Sequence, residues 1–371
     1  MSGDDVSLVK TAVALSGGVD SAVAAARLQD DGRELVGLTA RLLPDDWPEA
    51  RGCCDEAVAV ELCRRLGIDH RIVDLSKEFR AAVIDYFVAG YGAGLTPNPC
   101  LPCNRVIKFG ALMDVARAMG CEALGTGHYA RIEPHGGRVG VRRAADEGKD
   151  QSYMLIGLSQ EQLSRAVLPL GESLKAEVVE EARRRKLPVL HRESQDVCFV
   201  GDDYRDFVAR FLTPEPGPML DVAGREVGTH LGLAYYTVGQ RRGLGGGPST
   251  GSGPVGELER LYVIAKDPAR NALIVGPREE LRRREFEVEG VNWVSLAPPR
   301  VGEEVPCLVM VRYRGRLIRG VVTVVEGDRC VVRIDEHDQA IAPGQGAAFY
   351  GRPSRSHDDG WLLGGGFIAA G

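Results

Sequence analysis

The stretch that decides the fold of this chain reads Thr11-Ala12-Val13-Ala14-Leu15-Ser16-Gly17-Gly18-Val19-Asp20-Ser21. Its first five residues are apolar and predict a β-strand, and the pattern from Ser21 to Gln29 predicts a helix. The loop between them therefore lies at a helix N-terminus, where backbone N–H groups and the helix dipole favour an anion. Two glycines let the backbone approach phosphate oxygens closely, and the flanking serines can donate hydrogen bonds.

The same loop also fits a plain structural role. A tight strand-to-helix turn capped by Ser and Asp would use the same residues, and the Gly-Lys-Ser/Thr ending of a Walker loop is missing from the sequence. The complete string Ser16–Ser21 between a strand and a helix favours phosphate binding, with Asp20 as a candidate Mg²⁺ ligand.

Outward from this loop, short β-rich runs alternate with helical patterns as far as about residue 200. Alternation of this kind predicts a doubly wound α/β fold, in which a mostly parallel sheet is covered by helices on both faces. The further predicted strands are Leu35–Ala40, Arg71–Leu75 and Ala123–Gly127, and the further predicted helices are Glu56–Leu66, Phe79–Tyr91 and Phe109–Met119.

After about residue 205 the pattern changes to short strands separated by Gly and Pro. The runs Glu226–Thr229, Tyr235–Val238, Leu261–Ile264 and Ala272–Val275 predict a small β-rich central domain, interrupted by the Gly/Pro/Ser-rich loop Arg241–Gly256. Alternating runs from about Phe286 onward predict a C-terminal antiparallel β-barrel. We therefore expect three domains, covering residues 1–205, 206–280 and 281–371.

Composition and charge limit the class of protein. Hydrophobic residues make up 44% and charged residues 26% of the chain, as in ordinary globular proteins. No run approaches 18 apolar residues and no secretion signal is recognisable, so we expect a cytoplasmic protein without a membrane partner. The net charge of −6 argues weakly against a nucleic-acid partner. Basic clusters such as Arg183–Lys186 and Arg312–Arg316 leave the question open, although any one of them alone is typical of a solvated face.

Three cysteines stand out among the nine of the chain, which are too sparse for a disulfide scaffold. Cys100 and Cys103 lie three residues apart on a Pro-stiffened segment just before a predicted helix, and Cys198 follows on a predicted loop. Thiols near a helix N-terminus are good nucleophiles or metal ligands. A structural zinc site would need a second C-x-x-C or a His pair, which the sequence lacks, and inert packing is the other alternative.

These motifs resemble those of known enzymes in two ways, one through the loop alone and one through segments along the whole chain. The loop Ser16–Ser21 resembles the pyrophosphatase loop (PP-loop) of enzymes that adenylate an oxygen of their substrate and release pyrophosphate. Further segments are similar to bacterial tRNA 2-thiouridylases and run in the same order, between residue 10 and about residue 368. They are Thr96–Gly110, Gly125–Tyr129, Lys149–Tyr153, Ser194–Gly201, Thr237–Leu244, Arg312–Arg314 and Pro343–Gln345.

The resemblance implies an enzyme that uses ATP and Mg²⁺ to adenylate the C2 oxygen of a wobble uridine, in the anticodon stem-loop of tRNA, and replaces it with sulfur. The products would be 2-thiouridine, AMP and pyrophosphate. Cys198 would carry a persulfide, and Cys103 would resolve it by forming a Cys103–Cys198 disulfide. ATP would contact Ala14, Leu15, Ser16, Gly17, Gly18, Val19, Asp20, Ser21, Ala40 and Gly127, and tRNA would contact Lys149, Asp150, Gln151, Arg312 and Tyr313.

Cys100 departs from the family pattern, because many relatives carry at this position an Asp that is a candidate general base. With Cys100 present, the set Cys100, Cys103 and Cys198 resembles the three ligands of a [4Fe–4S] cluster that leaves one iron open to sulfide. Persulfide and cluster chemistry are therefore alternatives. The sulfur would come from a donor protein, such as a cysteine desulfurase or a sulfur relay protein, or from inorganic sulfide.

Two other functions remain open at this point. A PP-loop ligase or amidotransferase that adenylates a small molecule would share only the loop, and would need neither Arg312, Tyr313 nor the cysteines. A non-catalytic, thiol-bearing tRNA-binding protein would release no pyrophosphate from ATP.

Overall fold

Five parallel strands form the N-terminal sheet of the computed structural model, which describes residues 9–44, 47, 54–190, 197–201, 203–244, 261–335, 339–352 and 360–370. The strand order is β3-β2-β1-β4-β7, and every neighbouring pair is parallel. This arrangement confirms the predicted α/β sheet. The strands are β1 Lys10–Ala14, β2 Glu34–Arg41, β3 Asp69–Asp74, β4 Ala123–Gly125 and β7 Ala166–Val167, and a separate hairpin consists of β5 Ala130–His135 and β6 Arg138–Arg143.

Successive residues of β1 enter two different hydrophobic cores. Ala12 packs in the core that contains Phe79 and Phe87, whereas Val13 packs in the core that contains Val23 and Leu62. Because side chains alternate across a strand, both faces of the sheet are covered by helices. The helices are α1 Val19–Asp30, α2 Glu56–Leu66, α3 (the consecutive segments Ser76–Phe79, Arg80–Ile84 and Asp85–Gly92), α4 (Cys100–Pro102, Cys103–Leu112 and Met113–Ala118), α5 Gln160–Ser164, α6 Lys175–Arg184 and α7 Tyr204–Val208.

Helix α4 begins earlier than the sequence pattern predicts. The expected start was Phe109, with the cysteines just before the helix, but the helix begins at Cys100, and the Cys103 N–H donates to the Pro99 carbonyl at 3.1 Å. Proline is tolerated in a first helical turn, whose N–H groups have no partner within the helix. The middle segment, Cys103–Leu112, is π-helical, which hides the 3.6-residue period that the prediction relied on.

The central part forms a four-stranded sheet in the order β10-β11-β8-β9. The predicted strand Tyr235–Val238 is wrong, because a 3₁₀ turn occupies Leu233–Tyr235 and begins after Gly232, whose φ of 134° breaks an extended run. Most of the Gly/Pro/Ser-rich loop, residues 245–260, lies outside the described residues. The strands are β8 Gly217–Asp221, β9 Glu226–His230, β10 Tyr262–Asp267 and β11 Ala272–Gly276.

The C-terminal part is a closed barrel in the order β12-β15-β14-β13-β16-β17, which confirms the predicted β-barrel. Side-chain hydrogen bonds join it to the N-terminal part: Asn292 donates to the Ile156 and Leu158 carbonyls, at 2.8 and 2.9 Å. No helix in the described part of the chain has the length and apolar character needed to cross a membrane. The strands are β12 Glu285–Trp293, β13 Glu304–Met310, β14 Ile318–Glu326, β15 Arg329–Ile334, β16 Gly346–Tyr350 and β17 Leu362–Ile368.

Candidate active site

The PP-loop is held against two other segments of the chain. The Ser16 carbonyl accepts the Asp55 N–H at 3.0 Å, and the Gly17 carbonyl accepts the Leu190 N–H at 2.8 Å. Gly17 has a φ of 79°, and a Cβ there would lie 3.1 Å from Asp55. Among the described residues, no side chain caps Gly18 at the start of α1. The loop carbonyls are thus occupied by neighbouring N–H groups, while the helix N-terminus can receive an anion.

All ten residues expected to contact ATP gather at the carboxyl end of β1. Eight are contiguous, from Ala14 to Ser21, and Ala40 lies on the adjacent strand β2, two residues beyond the pair Ala14–Leu38. Gly127 follows β4, and a Cβ there would lie 2.7 Å from the Asp20 carbonyl carbon and 2.8 Å from the Ser21 nitrogen. Only a glycine lets this strand end approach the start of α1 so closely.

Asp20 is engaged by two groups that sequence analysis missed. Its Oδ1 accepts the Lys175 ammonium at 2.5 Å and the Tyr129 hydroxyl at 2.8 Å. Burial and the Asp20 carboxylate both raise the pKa of Tyr129, which therefore stays protonated as a donor. Lys175 is the first residue of α6, where a cation opposes the helix dipole, and that unfavourable position was the available sequence signal. This ammonium adds positive charge beside the PP-loop.

The segment Gly127–His128 joins the PP-loop to the helix that carries the cysteines. The next residue after Gly127, His128, is buried, with Nε2 3.1 Å from Asn104 Oδ1 and Nδ1 2.7 Å from Thr126 Oγ1. Asn104 is adjacent to Cys103 on α4, and its Nδ2 donates to the Met154 carbonyl at 3.3 Å. Burial, reinforced by the nearby Lys108 cation, holds the pKa of His128 well below its usual value. His128 is therefore a neutral residue that positions α4 against β4.

The structure places two of the three predicted cysteines at one hydrophobic core. Cys103 is 8% exposed and belongs to this core, whereas Cys198 is half-buried and packs against it, and Cys100 is half-buried at the start of α4. Phe199, next to Cys198, packs on α3 through Phe79, at a ring distance of 5.6 Å. Because α3 also packs against α4, Cys198 and Cys103 lie on elements that share a packed neighbour.

The described residues offer no ready-made site for a single metal ion. Within those residues, no three Cys, His, Asp or Glu side chains come close enough together to hold a metal ion. The sulfurs that hold a [4Fe–4S] cluster lie farther apart than the ligands of one ion, so this result concerns a single ion and not a cluster held by Cys100, Cys103 and Cys198.

The three residues of the expected tRNA segment differ in exposure. Lys149 and Gln151 are partly exposed, and the Gln151 side chain accepts the Tyr129 N–H at 2.9 Å. Asp150 is 8% exposed, and its carboxylate accepts four hydrogen bonds, including the Ala144 N–H at 2.9 Å and the Ser152 hydroxyl at 2.9 Å. The Asp150 carboxylate is therefore occupied within the protein and fixes the turn between Lys149 and Gln151.

The other two expected tRNA residues lie on a barrel turn. Arg312 is exposed, and Tyr313 is half-buried, with its ring centroid 5.9 Å from that of Tyr153. Burial raises the pKa of Tyr313, and Cys100 and Asp150 are near enough to raise it further. Tyr313 therefore packs against the core of the N-terminal part beside Tyr153. A cleft of about 550 Å³ between the central part and the barrel is lined by Thr237, Val238, Gly239, Gln240, Tyr262, Arg278, Leu281, Arg312, Gln339 and Ala340.

Models of three protein-family domains match consecutive stretches that together cover nearly the whole chain. They are a tRNA methyl transferase HUP domain over residues 9–202, a tRNA methyl transferase PRC-barrel domain over residues 205–277 and an aminomethyltransferase β-barrel domain over residues 283–368. Among solved structures, the chain is similar to the U34-tRNA thiolase NcsA from Methanococcus maripaludis with its [4Fe-4S] cluster. The identity is 22%, the match covers 56% of this chain and 66% of that one, and the TM-score is 0.35.

Curated relatives match the chain from end to end. The tRNA-specific 2-thiouridylase MnmA of Chloroflexus aggregans is 47% identical, over 96% of this chain and 97% of that protein. The protein of the same name from Roseiflexus castenholzii is 44% identical, over 98% of this chain and 100% of that protein, and the one from Acidithiobacillus ferrooxidans is 41% identical, over 96% and 98%. Identity of this order over the full length shows that the chain belongs to the family of tRNA-specific 2-thiouridylases.

Proposed function

We propose that this enzyme uses ATP to activate the C2 oxygen of the wobble uridine in tRNA and then replaces that oxygen with sulfur. The observation that carries the proposal is the segment Gly127–His128. Gly127 touches the PP-loop at Asp20 and Ser21, and His128 is hydrogen-bonded to Asn104, beside Cys103. The segment Gly127–His128 would thereby fix the position of a nucleotide at the PP-loop relative to the Cys103 thiol on α4.

The first half of the reaction belongs to the PP-loop. The C2 oxygen attacks the α-phosphate of ATP, an O–P bond forms, and pyrophosphate leaves with the electrons of the broken P–O bond. The start of α1 and the Lys175 ammonium would stabilise the departing charge. Mg²⁺ would be held with the nucleotide, with Asp20 as the protein ligand, and would supply charge neutralisation.

The second half belongs to the cysteines. The terminal sulfur of a Cys198 persulfide attacks C2 and expels AMP, which leaves the base joined to Cys198 through a disulfide. The Cys103 thiolate then attacks the Cys198 sulfur, so that the thiocarbonyl base departs and a Cys103–Cys198 disulfide remains. An external dithiol must reduce that disulfide, and a donor protein that carries a persulfide must transfer its outer sulfur to the Cys198 thiolate, before the next turnover.

The tRNA would be held by surfaces on all three parts of the chain. Arg312 and Tyr313 lie on the barrel turn, where Tyr313 packs beside Tyr153, and Arg312 and Arg278 also line the cleft next to Thr237–Gln240. Lys149 and Gln151 would contact tRNA directly, whereas the buried Asp150 would act by fixing their turn. The target base must leave its stack to reach the loop, which costs little in a single-stranded anticodon.

Persulfide chemistry is the sulfur route that we propose, because Cys103 and Cys198 lie on elements that share a packed neighbour. Cluster chemistry would use Cys100 as a third ligand. Iron and acid-labile sulfide analysis of anaerobically purified protein tests this choice. We expect full activity in protein without iron, and activity that tracks iron content would establish the cluster route instead.

Mass spectrometry of tRNA nucleosides tests the function itself. Incubation with ATP, tRNA and a sulfur source should give 2-thiouridine together with one pyrophosphate per modified base. Cys103→Ser and Cys198→Ser should form no 2-thiouridine, while Cys330→Ala, a control in the barrel core, should keep its activity. Pyrophosphate release without tRNA would instead support a small-molecule ligase, and binding of tRNA without pyrophosphate release would support a non-catalytic tRNA-binding protein.

The proposal includes the division into domains and the cellular localisation. We propose domains at residues 1–205, 206–280 and 281–371. We also propose that the enzyme acts in the cytoplasm, where tRNA and ATP occur together. Limited proteolysis should cut between the three domains as well as in the Gly/Pro/Ser-rich loop Arg241–Gly256, and cuts confined to that loop would require different boundaries.

A further inference from the structure

The segment Leu95–Pro99 leads directly into α4 and sets where its first residues lie. Pro97 and Pro99 stiffen this segment, and the Asn98 Oδ1 accepts the Cys100 N–H at 3.0 Å. Pro97 packs against Gly90, where a Cβ would lie only 2.9 Å from Pro97 Cγ. A displacement of Leu95 or Thr96 would therefore be transmitted along a stiff chain to Cys100.

The barrel holds one side of this segment. The Thr96 N–H donates to the Pro343 carbonyl at 2.8 Å, and Gln345 Nε2 donates to the Thr96 carbonyl at 2.8 Å. Both backbone polar groups of Thr96, which is 9% exposed, are thus bound by the loop that leads into β16. Gly344 lies between them with a φ of 87°, and a Cβ there would lie 2.9 Å from Leu95 Cβ.

The central part holds the other side. Lys266, on β10, donates through Nζ to the Leu95 carbonyl at 3.3 Å and lies 5.9 Å from the Tyr91 ring centroid. The turn after β10 also packs here, since a Cβ on Gly94 would lie 2.9 Å from Pro268 Cγ. An ammonium at this place complements the carbonyls at the C-terminal end of α3.

We propose that Lys266 and Gln345 are positioning residues that clamp the Leu95 and Thr96 carbonyls, and that through this clamp the central part and the barrel set the position of Cys100 and Cys103 for sulfur transfer. The proposal rests on the proposed function, because it assigns these side chains to the thiolation step. Neither residue lies at the PP-loop, and each binds the segment from a part of the chain expected to hold tRNA. The parts of the chain that are expected to bind tRNA would therefore also fix the position of the Cys100 and Cys103 thiols.

Two variants of the full chain test the clamp. Gln345→Glu keeps the shape but removes the donor to the Thr96 carbonyl, and Lys266→Met keeps most of the apolar stem but removes the donor to Leu95. The matched control is Gln29→Glu, because Gln29 Nε2 also donates to a backbone carbonyl, that of Leu66 at 2.7 Å, but at the far end of α1. Lys266→Arg, which keeps a cationic donor, is the conservative variant.

The measurements are the single-turnover rate of 2-thiouridine formation, the Kd for tRNA and the KM for ATP. We expect each test variant to lower the rate about 10-fold, the loss expected for one buried hydrogen bond used in the reacting geometry, while Kd and KM stay within about twofold. Lys266→Arg should recover most of the rate, and Gln29→Glu should match the wild type.

Several outcomes overturn the clamp. An unchanged rate in both variants would show that the segment is positioned without them. Equal losses in rate, tRNA affinity and thermal stability would show a general structural role. If the wild-type chain forms no 2-thiouridine, the proposed function fails before the clamp is tested, so the two failures are distinguishable.

Discussion

At the scale of single residues, the charge beside the PP-loop depends on one ion pair. Asp20 shares its Oδ1 between the Lys175 ammonium and the Tyr129 hydroxyl, so its carboxylate is already balanced before a nucleotide arrives. When phosphate oxygens and a cation approach, we expect Lys175 to turn from Asp20 to the phosphates. The pair thus keeps a cation poised beside the anion site.

Lys175→Met should weaken ATP binding more than tRNA binding. The variant removes a cation near the leaving pyrophosphate and leaves the Asp20 charge unbalanced, and we expect the KM for ATP to rise about 10-fold or more. Steady-state pyrophosphate release measures the effect. Lys77→Met, at an exposed position on α3, is the control and should resemble the wild type, and a normal KM in Lys175→Met would remove Lys175 from the nucleotide site.

His128 should make the protein less stable in mild acid. Its pKa in the folded state is well below the ordinary value of about 6.5, so below that pH only the unfolded chain takes up the proton. The free energy of unfolding should then fall by up to about 1.4 kcal/mol for each pH unit below about 6.5. Urea denaturation at pH 7.5 and 5.5 should show a flatter dependence in His128→Gln, because the other histidines contribute equally to both proteins.

At the scale of elements, the contact between β4 and α1 is as important as the PP-loop itself. Gly127→Ala would place a methyl group 2.7 Å from the Asp20 backbone, which cannot yield without moving the start of α1. We expect pyrophosphate release to fall at least 10-fold while the far-ultraviolet circular dichroism stays unchanged. Gly92→Ala is the control, since its Cβ would meet Leu212 at an ordinary 3.5 Å. A fully active Gly127→Ala would show that the approach is not needed.

The element scale also shows what the sequence could predict. The strand–loop–helix around Ser16–Ser21 and the alternation of strands and helices depend on local periodicity, and these predictions are confirmed. The start of α4 was predicted too late because a π-helical segment lacks the 3.6-residue period. Lys175 and Gln345 escaped a functional assignment because their partners lie 155 and 249 residues away along the chain. For Lys175 the only local signal was a cation at the start of α6, and for Gln345 no local pattern encodes the contact.

At the scale of the whole molecule, the barrel serves the N-terminal part as a fixed support. Asn292 joins the two through the Ile156 and Leu158 carbonyls, and Tyr153 donates to the Gly346 carbonyl at 3.0 Å. Such hydrogen bonds between buried groups fix one relative position rather than a range. If Arg312 and Tyr313 bind tRNA as proposed, we expect the barrel turn to present it to the cysteines without a hinge movement.

Arg312→Ala should weaken tRNA binding in a salt-dependent way. Loss of one phosphate contact should raise the Kd about 10-fold at low salt, and should reduce the slope of log Kd against log salt concentration by about one. Filter binding over a range of salt concentrations measures both values. Arg329→Ala, which removes an exposed barrel arginine paired with Glu287, should change neither, and an unaltered slope in Arg312→Ala would place this residue off the RNA path.

The Ser16 and Gly17 carbonyls already accept hydrogen bonds, which affects the order in which Mg²⁺ and the nucleotide bind. A divalent cation that reached the empty enzyme would meet carbonyls already bound by Asp55 and Leu190, and a carboxylate already bound by Lys175. Such an ion gains little there by giving up its water shell. The metal should therefore bind together with the nucleotide, as a Mg²⁺–ATP complex. Titration calorimetry with magnesium alone should register no heat of binding, and heat should appear once ATP or pyrophosphate is added.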